Sequence, residues 1–153
     1  MGCDIHSFAE KQNPDGTFEI IDGLSPFDSR CYGTFGFLAG VRNYYDVTPI
    51  ADPRGFPSDA SDGVKFEFEE WDCDAHTPSW LSVEELSSFD YSQAMEDRRC
   101  SVRTGSCING GATCKPGEGK TESYAQFLGK WFLDDIEKLK AAGATRVVFW
   151  FDN

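Results

Sequence analysis

The sequence predicts a single α+β domain, and three patterns carry that expectation. A turn cluster, Asn13-Pro14-Asp15-Gly16, separates two stretches of strand character near the N-terminus. An apolar stripe at helical spacing runs from Tyr124 to Leu139, and a continuously apolar run, Val147 to Phe151, lies close to the C-terminal end. The N-terminal hairpin and the last strand are therefore expected in one mixed sheet packed by two or three helices. An α/β sheet is the alternative if the last strand pairs parallel to the first.

Residues 3 to 9 read as a strand, and a period of two sets Asp4 and His6 on one face with Cys3, Ile5, Ser7 and Ala9 on the other. Thr17 to Ile21 supplies the second arm of the hairpin. From Ser29 to Val41 the residues Cys31, Phe35, Leu38 and Val41 fall at helical spacing, although Gly33, Gly36 and Gly40 each weaken a helix by about 1 kcal/mol. Asn43 to Asp62 contains Pro49, Pro53 and Pro57 and should be irregular. Val64 to Trp71 alternates Val64, Phe66 and Phe68 with Lys65, Glu67 and Glu69, the pattern of a half-buried strand with an acidic outer face.

Ser82 and Glu85 have the spacing of a capping box at the start of a short helix, which leaves His76 in the loop before it. Residues 91 to 121 are polar and rich in glycine, so a loop insertion is expected there within one domain spanning 1 to 153. Its segment Lys115 to Thr121 resembles a phosphate loop, but Cys114 stands where the first glycine is required. Ser123 and Gln126 form a second capping box, which opens the long amphipathic helix. Lys138 and Lys140 complement that helix's negative end, Gly143 is placed to cap it, and Val147 to Phe151 should be a central strand covered on both faces.

The chain of 153 residues carries 14 Lys and Arg against 26 Asp and Glu, a formal net charge of -12. Such a surface repels phosphate backbones, so long nucleic acid is not an expected partner. There is no secretory pattern and no apolar run of membrane-spanning length, and the expectation is a cytoplasmic protein without a membrane partner. Six cysteines, none in a Cys-x-x-Cys pair, are then expected as reduced thiols or metal ligands, and Cys100, Cys107 and Cys114, at equal intervals that match no standard zinc module, are read as free thiols in a surface loop.

The chain has two histidines, and each stands two residues after an aspartate, in Asp4-Ile5-His6 and Asp74-Ala75-His76. Imidazole and carboxylate together suit a borderline divalent metal, Zn or Mn, so Asp4, His6, Asp74 and His76 are candidate ligands around a metal-bound water. Without metal, His6 and His76 would serve as general base and general acid, with Asp74 orienting its histidine. Asp152, just past the last strand, could join such a cluster. Arg42 with Asn43, and the proline-bracketed Arg54, could clamp an anion, while Phe56 and Trp80 offer faces for stacking.

Met1-Gly2-Cys3-Asp4-Ile5-His6 with Glu10, Leu38 to Asn43, Pro53-Arg54-Gly55-Phe56-Pro57, Asp74-Ala75-His76 leading to Ser79-Trp80-Leu81, and Arg146 to Asn153 together resemble a family of small uncharacterised proteins found widely in bacteriophages. The resemblance spans both ends of the chain and implies a phage-encoded protein acting in the host bacterial cytoplasm, but brings no activity with it. Residues 90 to 121 are unlike that family, as is Cys73, where glycine is expected. Three functions remain in view. The first is a small hydrolase, a phosphodiesterase or metal-dependent enzyme, acting on a nucleotide-like molecule. The second is a non-catalytic anti-defence protein that sequesters a nucleotide immune signal. The third is an acidic protein that blocks a host nucleic-acid-binding protein, and a homo-oligomer is compatible with each.

Overall fold

In chain order the elements are β1 (Ile5–Gln12), β2 (Phe18–Ile20), α1 (Tyr32–Ala39), α2 (Asp62–Trp71), β3 (His76–Ser82), α3 (Val83–Ser88), β4 (Ala94–Asp97), β5 (Lys120–Ser123), α4 (Tyr124–Leu128), α5 (Lys130–Ala141) and β6 (Arg146–Phe151). They come from a computed structural model that describes residues 2–99 and 113–153. The chain divides into two compact units, the first made of Met1–Ser29, Pro53–Phe89 and Asp134–Asn153, the second of Arg30–Asp52 and Asp90–Leu133.

The first unit is built on a sheet of order β2-β1-β6-β3. The N-terminal hairpin forms as expected, its turn closed by the Asn13 amide donating to the Thr17 carbonyl at 2.7 Å. β6 enters between β1 and β3, antiparallel to both. The class is therefore α+β, but the sheet is wholly antiparallel rather than mixed, and the α/β alternative falls with it. All six residues of β6 are buried, as its unbroken apolar run requires of a central strand.

One face of this sheet packs a cluster of Ala60, Val64, Val148 and Trp150, with Phe8, Ile20, Phe56, Phe68, Trp71 and Trp80 partly buried around it. Val64 and Phe68 belong to α2, where alternation predicted a strand. Ser61 decides the matter locally: its hydroxyl accepts from the Val64 amide as an N-cap, and Asp62 follows at the positive end of the helix. Val64, Phe68 and Trp71 then share a helical face at i, i+4 and i+7, while Phe66 is left 61% exposed. A short alternating run fits both periods, and the cap breaks the tie.

α3 starts at the expected capping box, with Ser82 Oγ accepting from the Glu85 amide at 3.0 Å and Glu85 Oε2 from the Ser82 amide at 2.9 Å. His76 does not lie in a loop before it, as expected, but opens β3. The second box, Ser123 with Gln126, is also present, yet the long helix it was expected to open is two helices. Gly129, at φ 84 and ψ 169, leaves helical space between α4 and α5, and Trp131, assigned by spacing to the apolar stripe, is 80% exposed.

In the second unit Phe37 of α1 packs on Tyr124 and Phe132, ring centroids 5.6 Å apart in each case. β4 and β5 pair antiparallel inside the segment expected to be a loop insertion. Four-residue strands with polar outer positions give too short a signal for periodicity to register. Arg99 lies on the Phe127 ring at 4.0 Å and donates through Nε to Asp97 at 2.8 Å. Burial opposes ionisation of Asp97, but hydrogen bonds, that from Arg99 foremost, bring its carboxyl down to about 2.

The expectation of reduced thiols fails at Cys31 and Cys114, which are disulfide-bonded. Spacing along the chain carries no record of which sulfurs the fold brings together. Cys3, buried, and Cys73, exposed, carry thiols, and Cys100 and Cys107 lie outside the described residues. Among the described residues no helix is long and apolar enough to cross a membrane.

Candidate functional site

The two histidines do not share a cavity. His6 pairs across the sheet with Trp150 and His76 with Phe151, and consecutive residues of a strand point to opposite faces. The rings agree with the register, since His6 lies 6.0 Å from Trp150 and His76 lies 6.0 Å from Phe151. The proposed centre of Asp4, His6, Asp74 and His76 is therefore not assembled. Among the described residues no three His, Cys, Asp or Glu side chains stand together as ligands for a metal ion.

His6 finds another partner. Its Nε2 is 2.9 Å from Asp152 Oδ2, while Asp152 Oδ1 accepts from the Asp4 amide at 3.0 Å. Trp71 lies on the imidazole with ring centroids 4.0 Å apart. An oriented imidazole of this kind can accept or deliver a proton, but it is one half of the acid–base pair that cleaving a phosphodiester would use.

His76 has no help from Asp74, which is exposed and makes no hydrogen bond to it. Instead His76 Nδ1 meets its neighbour Thr77 Oγ1 at 3.0 Å, and the buried Nε2 has no partner among the described residues. Thr77 sits at φ 48, a left-handed backbone that a β-branched residue rarely adopts, where β3 slips register between His76 and Ser79.

The anion clamps expected from sequence are engaged elsewhere. Arg54 lies 4.6 Å over the Trp80 ring and forks onto Glu85, its Nη1 to Oε2 at 3.0 Å and its Nη2 to Oε1. The hydrogen bond from Arg54 holds the Glu85 carboxyl at about 2, against the opposing effect of burial. A folded-state value below the usual 4.5 means that this group's stabilisation is complete above pH 4.5 and drains away as pH falls toward 2. Glu85→Gln is accordingly expected to lower stability at pH 7 and to flatten the fall in stability across that window, measured by urea denaturation at stepped pH.

Phe56 stacks on Phe68 at 4.2 Å, against the core cluster rather than toward a ligand. Arg42 and Asn43 belong to the second unit, and Arg54, Phe56 and Trp80 to the first. Arg42 Nη1 donates to Tyr44 Oη at 3.1 Å, and the Asn43 side chain brackets Val47, donating to its carbonyl at 2.7 Å and accepting from its amide at 2.9 Å. Asn43 closes a turn.

Of the expected binding residues, Trp80 alone lines a described groove. This groove in the first unit, about 460 Å³, is bounded by Gln12, Phe18, Pro57, Ser58, Asp59, Trp80, Ser82, Thr145 and Arg146. Arg146 forms its base: 5% exposed, it lies 3.4 Å from the Phe18 ring centre and 5.9 Å from that of Trp80. Its Nε donates to the buried Glu10 at 2.7 Å and its Nη1 to Asp59 at 2.8 Å, while the buried Nη2 has no partner among the described residues. Sequence reasoning passed over Glu10, Asp59 and Arg146 as functional residues. A cation opening an otherwise apolar central strand was the available signal, because such a charge must be paired when buried.

No family model matches the chain, and neither a curated protein nor a solved structure matches it.

Proposed function

We propose that the chain is a non-catalytic binding protein for a small nucleotide-like molecule, acting in the cytoplasm of a phage-infected bacterium to sequester a nucleotide signal of host defence. The groove beside Trp80 carries this reading. Its volume falls in the range of small-molecule sites, roughly 300–1,000 Å³, and it joins aromatic walls to a few fixed polar groups. The hydrolase reading asked for two imidazoles or a metal at one cavity, whereas His6 and His76 face opposite ways from β6. In a reducing cytoplasm the disulfides of Cys31 and Cys114 have to persist against the glutathione pool.

A thermal-shift panel of linear, cyclic and dinucleotide ligands tests the proposal. A ligand present at a hundred times its dissociation constant should stabilise the protein by about 2.7 kcal/mol. Trp80→Ala should abolish that shift while the unliganded variant still unfolds cooperatively. The absence of a shift with every member of the panel, or a shift undiminished in Trp80→Ala, would sink the proposal.

A further inference from the structure

Most hydrogen-bonding groups that line the groove already have partners. Thr145 Oγ1 accepts from the Gln12 amide at 2.9 Å and donates to the Glu10 carbonyl at 3.3 Å. Ser82 Oγ is held in the capping box of α3, and Gln12 Nε2 donates to the Gly16 carbonyl at 3.3 Å. Two groups beside the Trp80 wall bear on the choice of ligand. Asp59 Oδ1 receives Arg146 Nη1, but Oδ2 accepts no hydrogen bond among the described residues, and the side chain is 63% exposed on the rim. Beneath it, Arg146 Nη2 is a buried donor with no partner among the described residues. An unsatisfied buried donor costs free energy, which a polar group reaching it from the groove would recover.

The charges decide which part of a nucleotide could enter. Two carboxylates, Glu10 and Asp59, flank the single guanidinium of Arg146, so the base of the groove is negative on balance and repels phosphate. Arg54, the nearest other cation to Trp80, is committed to Glu85. A neutral planar ring with adjacent N–H donors meets no such penalty, since a carboxylate accepts two parallel N–H bonds and tryptophan offers a stacking face.

We infer that the groove reads the base of its ligand and not its phosphate: it takes a guanine-like ring, whose neighbouring N–H donors go to Asp59 and whose adjoining carbonyl faces Arg146, packed beside Trp80. This rests on the nucleotide-binding reading above and names the recognised moiety. Arg146 is then a positioning residue as well as a donor, because its bond to Asp59 and its anchor on Glu10 fix the carboxylate on the rim.

Isothermal titration of the full chain with guanosine, GMP, inosine, adenosine and inorganic phosphate tests the inference. Guanosine and GMP should bind within about threefold of each other, inosine, lacking the 2-amino donor, at least about tenfold more weakly, and phosphate not at all. Asp59→Asn, whose amide oxygen can still accept from Arg146, should lose at least tenfold for guanosine while the unliganded variant still unfolds cooperatively. Equal binding of adenosine and guanosine, or binding of GMP without guanosine, would overturn the inference and leave the nucleotide-binding proposal standing. Failure of every nucleoside and of the wider nucleotide panel would bring down both.

Discussion

Glu10→Leu is expected to destabilise the protein by about 3–5 kcal/mol, the range for removing one partner of a buried ion pair. Glu10 is fully buried in β1, and its two oxygens do different work. Oε1 accepts from Arg146 Nε at 2.7 Å across the sheet, and Oε2 accepts from the Ser61 amide at 2.6 Å at the mouth of α2. Truncation leaves the Arg146 guanidinium, 6% exposed, with the rim carboxylate of Asp59 as its remaining counter-charge. The double variant Glu10→Leu/Arg146→Met removes both charges and should recover most of the loss, because a buried pair is often no more stable than apolar residues of similar volume. A residue of about 1–3 kcal/mol should persist from the orphaned Ser61 amide. Chemical denaturation of both variants checks the argument; a double variant no more stable than the single one would show that the unpaired charge is not the origin.

Trp150→Ala is expected to lose about 3–5 kcal/mol, and Trp150→Phe far less. Trp150 is fully buried in the central strand, with Phe8 and Phe68 5.1 Å away and Phe56 6.3 Å away, ring to ring. Alanine would leave a cavity walled by aromatic rings already held by α2 and the sheet, which cannot collapse to fill it. Phenylalanine keeps much of the ring and removes the indole Nε1–H, a buried donor with no partner among the described residues. Relief of that unpaired donor, of the order of 1–3 kcal/mol, offsets part of the lost packing. Equal losses from the two substitutions would contradict this account.

The candidate site shows where sequence reasoning stops. The Asp-x-His pattern named both histidines as members of one centre, with Asp152 as a possible further member. What joined His6 to Asp152 was the antiparallel pairing of β1 with β6, across 146 residues of chain. His76 went to the other face because it sits opposite Phe151 rather than Trp150, a difference of one position in register. No local pattern encodes that step, since a strand's period of two assigns residues to faces only once the pairing is known.

Local chemistry determined much by itself: the turn at Asn13 to Gly16, the capping boxes at Ser82 and Ser123, and a final strand too apolar to lie anywhere but the centre. These are short-range effects, decided by side chains bonding to amides three residues away or by a run with no polar face to turn outward. Tertiary structure decided the rest. It set His6 and His76 on opposite faces of the sheet and drew Glu10 and Asp59 onto Arg146 beside one groove. Those outcomes depend on which surfaces meet, and burial energy is a property of the meeting rather than of either segment alone.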